Sequence, residues 1–96
     1  MSCYNNTVSK ESKKLQRIFK GVANHRRIDI LRLINRSPAI TLHLIAEKLD
    51  CNFKTISEHT KKLVIAGLIN KRYQGNSVIH TLSPYGKKMV KVLQLF

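Results

Sequence analysis

The sequence predicts a mainly α-helical domain with one small β-hairpin, an α+β arrangement in the order α-α-α-α-β-β-α. Segments with helical periodicity come first, and only near the end does strand alternation appear. Residues 50–82, DCNFKTISEHTKKLVIAGLINKRYQGNSVIHTL, read as a polar-capped helix that runs into Ala66-Gly67-Leu68 and then two short strands hinged on Gly75-Asn76. The formal net charge is +13. A helix followed at once by a basic hairpin, in so cationic a chain, is how a winged helix-turn-helix presents itself to DNA.

From Ser9 to about Val22, Leu15, Ile18, Phe19 and Val22 fall at i, i+3, i+4 and i+7 with lysines opposite, an amphipathic helix whose apolar stripe needs a partner. From His25 to Asn35, Ile28, Leu31 and Ile34 recur in steps of three, Ile30 and Leu33 widen the stripe, and Ser37-Pro38 stops the helix. Thr41 caps a short third helix to about Leu49, in which Leu42, Ile45, Ala46 and Leu49 share a face, and Asp50 and Cys51 form the turn. Asn52 caps the fourth helix. Its inner positions are Ile56, Leu63 and Ala66, with His59 or Thr60 between them. Phe53, Lys54, Ser57, Glu58, Lys61 and Lys62 then point outward. Ile69 to Gln74 and Ser77 to Leu82 alternate, and Gly75-Asn76 tolerates positive φ, so a hairpin follows. Ser83-Pro84 supplies the N-cap and first position of a last helix, with Tyr85, Met89, Val92, Leu93 and Phe96 along one stripe.

With 96 residues, 43% of them hydrophobic, the chain builds one modest core that buries roughly 60 to 65% of the unfolded surface. A second, catalytic domain has no room. Residues 1–8 are expected to form a flexible N-terminus and residues 9–96 the DNA-binding domain. Eighteen Lys and Arg stand against five Asp and Glu, with a pI near 10.3, which makes polyanions the natural partners. The excess is dispersed, net +7 over residues 1–36 and net +6 over residues 37–96, so the chain is no neutral body with a basic tail. Cys3 and Cys51 are too few for a disulfide framework, and free thiols in a reducing interior are expected. MSCYNNTVSKESKK lacks the apolar stretch of a signal peptide, and no run approaches the ~20 apolar residues that span a bilayer. A cytoplasmic protein without a membrane partner is the expectation.

In a helix-turn-helix a short turn fixes two helices on one core so that the second can lie in a major groove about 12 Å wide. The residues expected to meet DNA on that helix are Asn52, Phe53, Lys54, Thr55, Ser57, Glu58, His59, Lys61 and Lys62. Ser57 can contact several bases, Lys54 can reach guanine, and Phe53 can touch a thymine methyl. As solvated side chains on a core helix they would need no function, yet an exposed aromatic at a helix start has little structural purpose. On the hairpin, Lys71, Arg72, Gln74, Asn76 and Ser77 are placed to touch phosphates or a minor groove. A charged hairpin also serves simply to blunt a sheet edge. The stripes Leu15, Ile18, Phe19, Val22 and Tyr85, Met89, Val92, Leu93, Phe96 exceed what one small core hides, so they are the expected homodimer interface.

Ala23-Asn24-His25-Arg26-Arg27-Ile28-Asp29-Ile30-Leu31-Arg32-Leu33-Ile34 resembles the A-D-P-T-R-L-R-I-L-R-L-L pattern of ArsR-type winged-helix repressors. Ile45-Ala46-Glu47-Lys48-Leu49, Thr55-Ile56-Ser57-Glu58-His59 and Ala66-Gly67-Leu68-Ile69 resemble that family's L-A-E-x-L, T-V-S-x-H and A-G-L-V. The resemblance covers roughly residues 15–82, and MarR-like and other winged-helix families share parts of it. It implies a homodimeric repressor whose first and last helices form the interface. The sequence also departs from the pattern: Asn24-His25 replaces the usual Asp-Pro, Glu58 stands where Arg is frequent, and Thr60 replaces a usual Leu.

Many members of that family sense metals. Here Thr41 and His43 occupy the positions of the Cys-x-Cys metal motif, and the last helix contains no His, Cys, Asp or Glu. Cys3, Cys51, His25, His43, His59 and His80 lack zinc-ligand spacing, so no metal or cofactor is expected. A thiol switch would need an exposed thiolate near basic groups. Five scattered acidic residues give no paired-carboxylate site, and GxSxG, HExxH and GxxxxGKS are absent, which excludes the commoner enzyme classes. The reading is a dimeric repressor of double-stranded DNA with a near-palindromic operator. Its rivals are a protein or RNA interaction module, favoured by Glu58 and Phe53, and a non-specific architectural binder, favoured by the dispersed charge.

Overall fold

The computed structural model describes residues 6–96, with side chains from Lys10 onward. Residues 1–5, and Cys3 with them, lie outside the described residues. Helix α1 spans Asn6–Val22, beginning three residues ahead of the expected Ser9, so Asn6 to Val8 belong to a helix rather than to a loose terminus. It is followed by α2 (His25–Arg36), β1 (Ile40–Thr41), α3 (Leu42–Lys48), α4 (Phe53–Ile65), β2 (Ile69–Gln74), β3 (Ser77–Leu82) and α5 (Pro84–Gln94). The expected fold class stands, with one addition. The hairpin is widened by Ile40–Thr41 into a three-stranded antiparallel sheet in the order β1-β3-β2. Two residues after a left-handed Ala39 (φ 64°) are too short a run for alternation to reveal.

Helices α2 to α5 each start where a side-chain oxygen can take the orphan amides of the first turn. Asn24 accepts from the amides of Arg26 and Arg27, Thr41 from Leu44, Asn52 from Lys54 and Thr55, and Ser83 from Gly86. Ser83 also donates to the Gly67 carbonyl, which fixes α5 to the corner where α4 ends. Gly67 holds that corner with φ 81°, a left-handed conformation that glycine adopts without strain. At the hairpin tip only Gly75 (φ 61°) uses positive φ, which matches the primed turns of two-residue hairpins.

The core is formed where the helical stripes and the sheet converge. Ile30, Leu31, Ile34, Ile45, Ile56, Leu63, Leu68 and Ile69 are fully buried, and each contributes about 1.5–3 kcal/mol of burial free energy. Ile18, Val22 and Met89 belong to this same core. Together with Val90, which the sequence left outside the stripe of α5, they turn inward. Among the described residues, no helix is long and apolar enough to cross a membrane.

Candidate nucleic-acid interface

Asp50, at φ 49°, carries the chain through a tight reversal between α3 and α4. Asn52 then caps α4, and Ile56, Thr60 and Leu63 anchor the helix on the core. At 3.6 residues per turn the opposite face presents Lys54, Glu58, Lys61, Lys62 and Ile65, all exposed. A helix anchored on one side and basic on the other is the geometry that a major groove accepts. Asn52 spends its side chain on capping. Thr55 and Ser57 are half-buried on the flanks of the helix.

Two of the residues expected to meet DNA on this helix have partners within the protein. His59 faces α2: its Nδ1 accepts from Arg27 Nε at 3.1 Å, so the ring is engaged inside the protein. Phe53 does have structural employment. Its ring stacks on His43 with centroids 4.6 Å apart and planes 24° from parallel, the offset arrangement that aromatic rings favour. Its exposure is therefore no sign in itself of a base contact.

The hairpin lies beside α4 and its register sorts the wing residues. Lys71 pairs across with His80, Arg72 with Ile79 and Tyr73 with Val78. Alternation puts Lys71, Tyr73, Val78 and His80 on the side toward α4, and Asn70, Arg72 and Gln74 on the other. Lys71 and Arg72 are adjacent in sequence but point to different surroundings. Gln74, Asn76 and Ser77 stand exposed at the tip.

Between α4 and the hairpin lies a cleft of about 300 Å³, lined by Ser57, Thr60, Lys61, Lys71, Tyr73 and His80 with Leu42, Val64 and Val78. His80 is 2% exposed and its Nδ1 has no partner. Burial holds its pKa below the usual value and Lys71 adds to the shift, against a raising effect from the Ile40 carbonyl. Tyr73, 70% exposed on the wing, was passed over in the sequence although its alternation with Lys71 places both on one face. Ile65, exposed at the far end of α4, was likewise missed.

At the start of α2, Arg26 Nη1 lies 3.0 Å from Cys51 Sγ. This joins α2 to the turn before α4, with Cys51 a half-buried acceptor. Among the described residues, no group of three or more His, Cys, Asp or Glu is placed to hold a metal ion.

Elsewhere, α1 and α5 enclose an open groove of about 400 Å³, floored by Leu15, Ile18, Phe19, Tyr85, Met89 and Val92 and edged by Glu11, Lys14 and Lys88. Of the residues expected at a homodimer interface, Leu15, Phe19 and Tyr85 are exposed, while Val92 and Leu93 are half-buried. Ile18, Val22 and Met89 are corrected: they face their own core and have almost no area left for a partner. Phe96 is exposed, as is Leu95, which the sequence stripe omitted.

The fold is shared by proteins of known structure. HlyU from Vibrio cholerae N16961 is 29% identical, with a TM-score of 0.82 over 91% of this chain and 96% of that one. The transcriptional regulator HlyU from Vibrio vulnificus CMCP6 is 27% identical, with a TM-score of 0.76 over 92% of each chain. The homodimeric winged helix-turn-helix DNA-binding domain of Mb0332 from Mycobacterium bovis, a possible ArsR-family regulator, is 22% identical. It has a TM-score of 0.86 over 99% of this chain and 89% of that one. No curated protein matches the chain. The family model that matches is that of the MarR family, over residues 23–76, a span that runs from the cap of α2 through α4 to the hairpin tip. The chain therefore belongs to the MarR family of winged-helix transcriptional regulators.

Proposed function

We propose that the protein is a dimeric repressor of the ArsR kind that binds a near-palindromic operator, laying two copies of α4 in successive major grooves and occluding promoter DNA. The observation that carries this reading is the open face of α4, where Lys54, Lys61 and Lys62 stand clear of the core beside a basic wing. On this reading Lys54, Ser57 and Glu58 meet base edges. Glu58 accepts from a cytosine amino group, while Arg72 and Lys71 hold phosphates. Support for the ArsR assignment within winged-helix regulators comes from the motif series between residues 15 and 82.

Dimerisation through the α1–α5 groove is supported by the adjacent exposure of Leu15, Phe19 and Tyr85. It is supported also by the homodimeric state of the Mycobacterium bovis relative. Selecting duplexes from a random pool tests the reading. The expected product is a motif with two half-sites about 10 bp apart. Enrichment of no motif would favour a non-specific architectural binder, and retention of no duplex a protein or RNA interaction module.

A further inference from the structure

We infer that Arg27 and His59 form a proton-sensitive positioning pair that fixes how α4 is presented to DNA, so that protonation of His59 weakens duplex binding. The inference rests on the proposed reading of α4 as the helix that meets DNA. Arg27 is half-buried in the first turn of α2 and joins three helices through one guanidinium. Its Nε donates to His59 Nδ1 at 3.1 Å, and its Nη1 lies 3.3 Å from the Gly21 carbonyl and 3.4 Å from that of Lys20, where α1 ends. The neighbouring Arg26 reaches Cys51 Sγ at 3.0 Å, in the turn that leads into α4. Two adjacent arginines thus hold α4 at its entry and at its middle. Ile56, Thr60 and Leu63 fix the core side of the helix. His59, a quarter-turn round from them toward the exposed Lys62, fixes its flank and with it the roll of the helix about its axis.

The tie needs a neutral ring. Nδ1 accepts while it carries a lone pair; a second proton turns it into a donor facing a donor and sets an imidazolium against a guanidinium. Burial acts first against the charged ring, then Arg27 and Arg26 from α2, with Lys62 of its own helix adding to them and Glu58 opposing. From α1 the network receives main-chain carbonyls, which engage Arg27. The ring is therefore neutral near pH 7 and takes its proton below about pH 6.5. Proton uptake leaves Arg27 with its two longer bonds to α1 and frees the flank of α4. If the tied orientation is the one that fits the duplex, proton and duplex oppose each other by linkage.

The test follows the full chain from about pH 7.5 to about pH 5 at constant ionic strength. NMR of the His59 ring nitrogens reads its protonation, and fluorescence anisotropy reads affinity for a duplex selected from a random pool. His59→Asn is the comparison, since its Oδ1 stands near the place of Nδ1, accepts from Arg27 and does not titrate. His25 and His43 titrate in both chains and strengthen phosphate attraction alike, so the ratio of the two affinities isolates His59. That ratio should be near one at neutral pH, and the native chain should fall roughly tenfold behind as His59 takes its proton, the worth of one charge-assisted bond. Amides of Lys54 and Lys61 on the open face should shift with the same midpoint in the native chain and not in His59→Asn. His59→Ala and Arg27→Gln should bind weakly at every pH, and their combination no more weakly than either alone. Far-UV circular dichroism over the same range separates this loss from unfolding.

Parallel pH profiles for the native chain and His59→Asn would overturn the pair while leaving duplex binding, and so the proposed function, intact. So would a His59→Ala chain that binds as the native one does, or a ring that keeps Nδ1 unprotonated throughout the range. Amide shifts on α4 that track His59 in a chain that retains no duplex would support the positioning pair and remove the DNA reading.

Discussion

Arg27 donates from Nε to Nδ1 of His59 at 3.1 Å, so the first turn of α2 holds the middle of α4 through one nitrogen pair. The same guanidinium reaches back from Nη1 to the carbonyls of Gly21, at 3.3 Å, and Lys20, at 3.4 Å, where α1 ends. One side chain thus joins α1, the helix that lines the apolar groove, to the helix proposed to read DNA. The bond requires His59 to be neutral with its proton on Nε2. Burial lowers its pKa first, then Arg27 and Arg26, with Lys62 adding to the shift and Glu58 opposing it.

A pH dependence follows from His59 and His80 together. Both titrate below the usual histidine value when folded, so the unfolded chain binds their protons first and stability rises with pH in that range. Folding free energy should be at its full value above about pH 6.5 and decline as pH falls below it toward the folded pKa values. Urea unfolding at pH 7.5 and pH 5.5 measures the difference, and His59→Gln should reduce it. An unchanged midpoint across that interval would refute the assignment of both rings as neutral.

The salt dependence of operator binding should be steep. If each protomer neutralises ~4 phosphates, log K against log salt should have a slope near −7 for the dimer, about −0.9 per phosphate. Fluorescence anisotropy between low and moderate salt reads this directly. A slope near zero would count against a phosphate-tracking face built from Lys54, Lys61, Lys62 and the wing.

Contacts on helix and wing should separate by their effect on specificity. Ser57→Ala and Lys54→Ala should each cost ~1–3 kcal/mol on the selected duplex and little on random sequence. Arg72→Ala, on the wing face turned from α4, should weaken both duplexes alike. Equal losses on both duplexes for the helix variants would remove the proposed division between base and phosphate contacts.

Helix α4 was legible because its cap, core stripe and following glycine corner are all local signals. Asn52, Ile56, Leu63 and Gly67 each announce their role within one or two turns. What could not be read depends on contacts distant in sequence. His59 carries the same label as an exposed histidine until Arg27, on α2, is seen to claim it. Phe53 looked unemployed until α3 brought His43 beneath it. The stripes of α1 and α5 were found as stripes, but periodicity cannot apportion a stripe between a chain's own core and a partner. Here Ile18 and Met89 went inward and Leu15 and Phe19 stayed out.

That apportioning makes self-association testable. Leu15→Glu and Phe19→Glu place a charge on side chains about half exposed, 53% and 49%, so the fold should survive while a dimer sealed over them should not. Sedimentation should show the native chain as a dimer and these variants as monomers with unchanged far-UV circular dichroism. Ile18→Glu, whose side chain lies in the core, should unfold the chain instead. Variants that remain as dimeric as the native protein would exclude this groove as the interface.

Gly86 tests how closely the last helix must approach the corner that ends α4. A Cβ at Gly86 would collide with the backbone carbonyl of Leu68, the same carbonyl that accepts from the Ser83 amide at 3.1 Å. Leu68 is fully buried and a backbone atom cannot swing aside as a side chain does. Gly86→Ala must therefore lift α5 away from the corner, although alanine is the better helix former by about 1 kcal/mol. The steric term should win, because overpacking a well-filled contact costs typically ~1–3 kcal/mol and this one meets main chain. In a domain of this size the net loss should lower Tm by about 4–8 °C per kcal/mol. Gly21→Ala is the informative contrast, since the clash there is with the side-chain Cβ of Ala66. The double variant Gly21→Ala/Ala66→Gly should recover much of that loss, whereas no side-chain change at Leu68 can rescue Gly86→Ala. A Gly86→Ala chain as stable as the native one would show that α5 is not pinned to the corner, and with it that the Ser83 cap does not set its position.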